Sequence, residues 1–206
     1  MKPAVFLDRD GTINEQMGYI NHIDRFHLLE GVTDAIRRLN IAGIPVVVVT
    51  NQSGLARGYF PESLLAAVHQ KMELLLAEDH AHVDGIYVCP HHPEAREARF
   101  RVDCDCRKPK NGLFVRAARE MELDLARSYV VGDRWSDLKA AASCGAKGIL
   151  VLTGYGRGDY EYIGPQQQIQ PHYVAENLQE AADWILADLA VTGVRSEKGK
   201  GKSDEK

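Results

Sequence analysis

No apolar run in this chain approaches the length of a bilayer span. The longest, "IPVVVV" from Ile44 to Val49, falls far short of the roughly 20 residues a spanning helix needs. The opening "MKPAVFLD" enters a short apolar stretch and then charge, so no secretory leader is expected. Net charge is only −4, so no electrostatic case exists for a nucleic-acid or anionic-membrane partner. Cysteine is sparse, four in 206 residues, and a chain this long builds a core without disulfides. With no leader, the reducing cytoplasm is the expected compartment. Clustered cysteines there serve as metal ligands or reactive thiols. No internal repeat is visible. The end of the chain, "TGVRSEKGKGKSDEK", has almost no apolar residues. One domain over 1–190 and a disordered tail over 191–206 are expected. No long exposed apolar stripe demands a second copy, so a monomer is expected.

What is present is alternation. "AVFL" (Ala4 to Leu7) reads as a short buried strand. "GVTDAIRRLNIAG" carries Val32, Ile36 and Leu39 at the spacing of one helix face and ends on glycine. "IPVVVVT" is β-branched throughout, as a strand covered on both faces requires. Helices are expected over Pro61–Asp79, Gly112–Leu123, Trp135–Gly145 and Glu176–Ala190. Strands are expected over Val83–Cys89, Ser128–Asp133 and Lys147–Gly154. Strand alternating with helix implies an α/β fold: three layers, a central parallel sheet in the Rossmann manner.

Ligands of such sheets bind at the carboxyl ends of the strands. Those ends carry "DRDGT" (Asp8 to Thr12), "TNQSG" (Thr50 to Gly54) and "GDRWSD" (Gly132 to Asp137). Asp8 and Asp10 stand two residues apart, and two such carboxylates repel unless a cation separates them. With Asp133 they make an oxygen-rich set suited to Mg²⁺. Lys108 and Thr50 supply a cation and a hydroxyl for a phosphate. The chemistry is phosphoryl transfer, with Asp8 as nucleophile and Asp10 as general acid and then base. The first step wants Asp8 ionised and Asp10 protonated, so their environments must separate their pKa values. Each motif alone could be a turn or helix cap; three in this order, each at the end of an apolar strand, make that reading improbable.

The stretch "CPHHPEAREARFRVDCDCRKP" holds three of the four cysteines. Cys89/His91 and Cys104/Cys106 are two pairs, each split by one residue, so each can grip one ion from an extended segment. Three thiolates and an imidazole make a closed tetrahedral zinc set of structural type. His92 competes with His91 for the fourth place. Free thiols or a disulfide are the bland alternatives. Cys144, on an alanine-rich helix, reads as a core thiol. The staple ends at Arg107 and Lys108, so zinc is expected to position the phosphate-binding lysine.

"VFLDRDGTIN", "VVVTNQSG", "CRKP" and "VVGDRWSD" resemble the four signature motifs of the haloacid dehalogenase superfamily of phosphohydrolases. The resemblance spans the folded part of the chain. It implies Asp8 as nucleophile and Asp10 as acid/base, with Thr50 and Lys108 holding phosphate. It implies Mg²⁺ on Asp8, Asp133 and the Asp10 carbonyl. One loop, one helix and one strand separate Asp8 from Thr50, which leaves no room for a large cap domain. The capless, zinc-loop pattern is similar to two kinds of phosphatase, one for a sugar bisphosphate and one for histidinol phosphate. The sugar-bisphosphate pattern is the closer. It implies substrate contacts from Gln16, Met17, Gly18, Tyr19, Thr50, Asn51, Gln52, Ser53, Arg107, Lys108 and Arg134. Arg107 and Arg134 exceed what one phosphate needs, and a second phosphate would use one of them. A zinc-stabilised binding protein with a decayed site is the alternative of another class.

Overall fold

The computed structural model describes the backbone of residues 1–200 and the side chains of 1–191. Its strands are β1 (Val5–Leu7), β2 (Val46–Asn51), β3 (Gly85–Cys89), β4 (Tyr129–Gly132), β5 (Lys147–Val151) and β6 (Tyr173–Ala175). Its helices are α1 (Val32–Ile41), α2 (Ser53–Ala56), α3 (Glu62–Glu78), α4 (Gly112–Met121), α5 (Trp135–Ser143), α6 (Gly156–Gly158) and α7 (Leu178–Lys200).

The strands form one parallel sheet in the order β3-β2-β1-β4-β5-β6. Side chains alternate along each strand and feed two cores. Val5, Leu7, Val46, Val48, Tyr129 and Val131 face one layer with α1, α3 and α7. Phe6, Val47, Val49 and Val130 face the other with α4 and α5. This explains why β2 reads as a continuous apolar run: both its faces are buried. The helices present the expected stripes, Val32/Ala35/Ile36/Leu39 on α1 and Leu113/Phe114/Ala117/Ala118 on α4. Phe6 and Phe114 meet edge to face at 5.3 Å.

The chain leaves β1 for β2 and β3 on one side, then returns past β1 to β4, β5 and β6 on the other. The order therefore reverses between β1 and β4, and a crevice opens at the carboxyl ends of those two strands. Asp8 stands directly beyond β1 and Asp133 directly beyond β4. Among the described residues no cap domain is inserted between β1 and β2, and no helix is long and apolar enough to cross a membrane.

Several elements differ from the sequence expectation. β6 was not foreseen, because three residues carry no measurable period. The short α2 and the turns over Gly156–Gln166 were likewise unforeseen. The closing helix continues past Ala190. The tail expected over 191–206 lies outside the described residues for its last six positions, and for its side chains from 192 onward.

Candidate active site

Asp8 follows β1 directly, with its N–H bonded to the Val131 carbonyl at 2.9 Å, which ties its backbone to β4. Its carboxylate meets Lys108 Nζ at 2.8 Å. The same ammonium lies 2.6 Å from Asp137 and donates to the Val49 carbonyl at 2.8 Å. Lys108 is 5 % exposed. Burial opposes its charge, but Asp137 and Asp8 more than offset that and hold it protonated. Asn51 at the end of β2 clasps the lysine's backbone: Nδ2 donates to the Lys108 carbonyl, and Oδ1 accepts from the Lys108 N–H, at 3.2 and 3.1 Å.

Asp133 is fully buried. Its Oδ2 accepts from the Tyr155 N–H at 2.8 Å, while Oδ1 has no hydrogen-bond partner. Gly11 and Gly154 pack against this carboxylate with φ of 89° and 54°. A Cβ at either position would lie 2.1 or 2.2 Å from Asp133 Oδ2, so only glycine leaves room. Burial, with Asp8 and Asp137 close by, pushes Asp133 up to about 8. Burial likewise raises Asp8 to about 6; Lys108 pulls it down, and Asp137 and Asp10 push it back up. Ligand oxygens of Asp8, Asp133 and Asp137 lie within 4.8 Å of one another. Crowded carboxylates with an orphan buried oxygen are what a hard divalent cation relieves, and the donor set fits Mg²⁺. Asp137 joins this group beyond the expected set; its pairing with Lys108 is a tertiary contact.

Asp10 is held differently. Arg9 grips it with Nη2 at 2.9 and 2.8 Å from its two oxygens. Asn14 adds a bond at 3.0 Å and Gln52 one at 2.7 Å. Burial alone would raise Asp10, yet Arg9 and these amides hold it below the ordinary carboxylate range. The two pKa values are thus separated as expected, but in the reverse order: in the metal-free protein Asp8 is raised and Asp10 lowered. Burial raises Asp8, and the buried Arg9 with its neighbouring amides lowers Asp10. A divalent cation on Asp8 and Asp133 would lower Asp8, and a phosphate dianion beside Asp10 would raise it.

A cleft of about 380 Å³ joins these groups. Asp8, Asp10, Gln16, Gly18, Tyr19, Thr50, Asn51, Gln52, Ser53, Arg107, Lys108, Asp133 and Arg134 all line it, as expected. Met17 does not; its apolar side chain packs against the core. The Asp10 carbonyl accepts from Gln16 Nε2 at 3.3 Å. Ser136 and Tyr155 line the cleft without having been foreseen. Arg134 stacks over the Tyr155 ring at 4.5 Å and lies 3.4 Å from Asp159.

Beside the cleft, Cys89, His91, Cys104 and Cys106 bring their ligand atoms within 4.8 Å of one another. Cys89 Sγ lies 3.7 Å from Cys104 Sγ and 3.3 Å from Cys106 Sγ; His91 Nδ1 lies 3.1 Å from Cys106 Sγ. Edges of that length fit a tetrahedron around one zinc. His92 turns away to Arg57, 2.8 Å from its Nε2, so His91 is the imidazole of the set. Arg107 donates to the His91 carbonyl at 3.3 Å, and the Gln52 N–H to the Cys89 carbonyl at 2.8 Å. The cysteine loop is therefore bonded to two walls of the cleft.

Parallel sheet, switch-point carboxylates and buried lysine together are those of a haloacid-dehalogenase-like hydrolase. A HAD-hydrolase-like family model matches residues 105–181. The D-glycero-beta-D-manno-heptose-1,7-bisphosphate 7-phosphatase of Escherichia coli O6:H1 is 47% identical over 190 residues, 91% of this chain and 90% of that protein. The Yersinia pestis protein of the same name is 43% identical, covering 91% and 92%. A crystal structure of D,D-heptose 1,7-bisphosphate phosphatase from B. bronchiseptica, complexed with magnesium and phosphate, superposes with a TM-score of 0.80 at 39% identity, covering 91% and 99%. The chain belongs to the heptose-1,7-bisphosphate 7-phosphatase family.

Proposed function

We propose that this protein hydrolyses the C7 phosphate of D-glycero-D-manno-heptose 1,7-bisphosphate, favouring the β anomer and leaving heptose 1-phosphate. That step leads toward nucleotide-activated heptose for the lipopolysaccharide core, and the protein acts as a cytoplasmic monomer. The observation that carries the reading is one cleft holding two kinds of anion site. Asp8, Thr50 and Lys108 surround the place of a transferring phosphoryl group. Arg107 and Arg134, also on the cleft wall, are cations for a second phosphate that stays.

Asp8 Oδ attacks phosphorus. The bond from phosphorus to the C7 oxygen breaks, its electron pair goes to that oxygen, and Asp10 protonates it. Asp10, now ionised, takes a proton from water. That water attacks phosphorus, and the Asp8–phosphorus bond returns its electrons to Asp8. Lys108 and the Thr50 hydroxyl hold the equatorial oxygens. Asp8, Asp133 and the Asp10 carbonyl would hold Mg²⁺, which when bound offsets the charge of the phosphoryl group. Asp137 orients Lys108. The Cys89/His91/Cys104/Cys106 set takes a structural zinc, with no open position for chemistry.

Histidinol phosphate is the other substrate to weigh. Twelve residues separate His91 from Cys104, and that longer loop favours the sugar bisphosphate. A decayed binding protein is disfavoured by the intact Asp8, Asp10, Thr50, Lys108 and Asp133. The test is phosphate release with Mg²⁺ from both anomers of heptose 1,7-bisphosphate, fructose 1,6-bisphosphate and histidinol phosphate. One heptose anomer should exceed the rest in kcat/KM by about 100-fold or more, the scale of several lost charged contacts. Preference for histidinol phosphate would keep the chemistry and overturn the substrate.

A further inference from the structure

Arg9 sits between the two motif carboxylates yet is only 2 % exposed, so it cannot reach a substrate. Three nitrogens of its guanidinium are engaged. Nε lies 3.3 Å and Nη2 2.9 Å from Asp10 Oδ1, Nη2 also lies 2.8 Å from Oδ2, and Nη1 lies 3.1 Å from His69 Nε2. A guanidinium can only donate, so Nε2 accepts and the His69 proton sits on Nδ1. His69 comes from the middle of α3, a helix otherwise remote from the cleft. We propose that His69 is a positioning residue for the acid/base carboxylate, fixing through Arg9 the plane in which Asp10 meets the leaving oxygen. This rests on the role of Asp10 given above.

Three observations support the chain His69–Arg9–Asp10. Asn14 and Gln52 already give each Asp10 oxygen a neutral donor, so the fold has no need of a buried cation there. Burying one is costly unless its geometry is well fixed. His69 supplies that fixing from a rigid helix, whereas Arg9 itself lies in a loop. Burial and the nearby Arg9 push His69 down to about 4, against a smaller opposing pull from Asp10. It is therefore neutral at working pH and free to accept rather than repel. A residue that merely filled space on α3 would need no acceptor aimed at a guanidinium.

The discriminating variable is the leaving group. An alkoxide leaving from the sugar needs its proton from Asp10; p-nitrophenolate is stable and needs none. Because kcat/KM reports only steps through formation of the phosphoenzyme, it isolates the acid role. Three variants, His69→Leu, His69→Gln and Asp10→Asn, are compared with wild type on heptose 1,7-bisphosphate and p-nitrophenyl phosphate. His69→Leu should lose about tenfold on the sugar, part of the 10²–10⁴ a general acid contributes, and stay within about twofold on the aryl ester. His69→Gln, which keeps an acceptor for Arg9, should recover most of the loss. Asp10→Asn should show the same selectivity, larger. Equal losses on both esters for His69→Leu, or none on either, overturn the inference while leaving Asp10 in place. Equal losses for Asp10→Asn overturn the acid role itself, and the inference with it. If leucine at 69 prevents folding, His69→Asn, whose amide falls short of Arg9, replaces it with the same expectation.

Discussion

Asp8→Asn should lower kcat by about 10⁴-fold or more, as removal of a covalent nucleophile does, and should not unfold the protein. An amide has no anionic oxygen to attack phosphorus, and neither Asp10 nor Asp133 can replace it. Asp10 is gripped by Arg9, and Asp133 is held by the Tyr155 N–H beneath two glycines. The stability consequence has the opposite sign. Burial disfavours the charge of Asp8 and raises its pKa from 3.8 to about 6. A raised carboxyl binds more protons folded than unfolded between those values, so its contribution to stability is lost as pH rises through them. Without Mg²⁺, the variant should gain on wild type in thermal stability from pH about 4 to about 6. Above that the gain should level off, and with Mg²⁺ it should vanish, because the cation then favours the wild-type carboxylate. Loss of less than about 100-fold in kcat would remove Asp8 as nucleophile. A variant less stable than wild type in chelator at pH 7 would contradict the account of crowding.

The second large effect concerns the Cys89/His91/Cys104/Cys106 set, proposed above to hold a structural zinc. Purified protein should contain about one zinc per chain, and Cys106→Ser should reduce that well below half. Structural zinc binds finger peptides with about 10–16 kcal/mol of apparent free energy. Here the loop rests on a large independent core, so only part of that appears in global stability. A fifth of it lowers Tm by about 4–13 °C, at roughly 2–4 °C per kcal/mol for a chain of this size. Activity should fall too, although Cys106 touches no substrate. Lys108 stands two residues on, and Arg107 bonds to the His91 carbonyl. A displacement of about 1 Å at such groups costs about 10²-fold. Metal analysis, thermal melts and kcat/KM on the same preparations check all three expectations. A zinc-free wild type with full activity would refute the staple.

Much of this was legible in the sequence, for physical reasons. Carboxylates directly after apolar runs announce a site because a parallel sheet presents its ligands there. Val32, Ile36 and Leu39 give α1 because a buried face must recur at helical spacing. The paired cysteines give the four-residue Cys/His cluster because each pair presents its ligand atoms to one side. What stayed hidden depends on where chains meet. β6 is too short to carry a period. His91 and His92 are barely separable by spacing; the structure separates them by turning His91 Nδ1 to Cys106 Sγ and His92 to Arg57. Asp137 resembles an ordinary helix-start acid until Lys108 arrives from a distant loop. Arg9 resembles a surface charge, yet buried beside Asp10 it lowers that carboxyl, while burial raises Asp8, so the expected order is reversed. His69 did leave a trace: with Leu65, Met72 and Leu76 it falls on one face of α3, a polar residue in an apolar stripe. Such a residue must find a partner, and the sequence cannot say that the partner is Arg9.

The central claim is that one phosphate of a sugar bisphosphate leaves and the other stays. ³¹P NMR of heptose 1,7-bisphosphate turning over with Mg²⁺ reads this directly. The account predicts that the C7 phosphomonoester signal is replaced by inorganic phosphate while the anomeric phosphate signal persists unchanged. Loss of the anomeric signal first, or of both at similar rates, would contradict it.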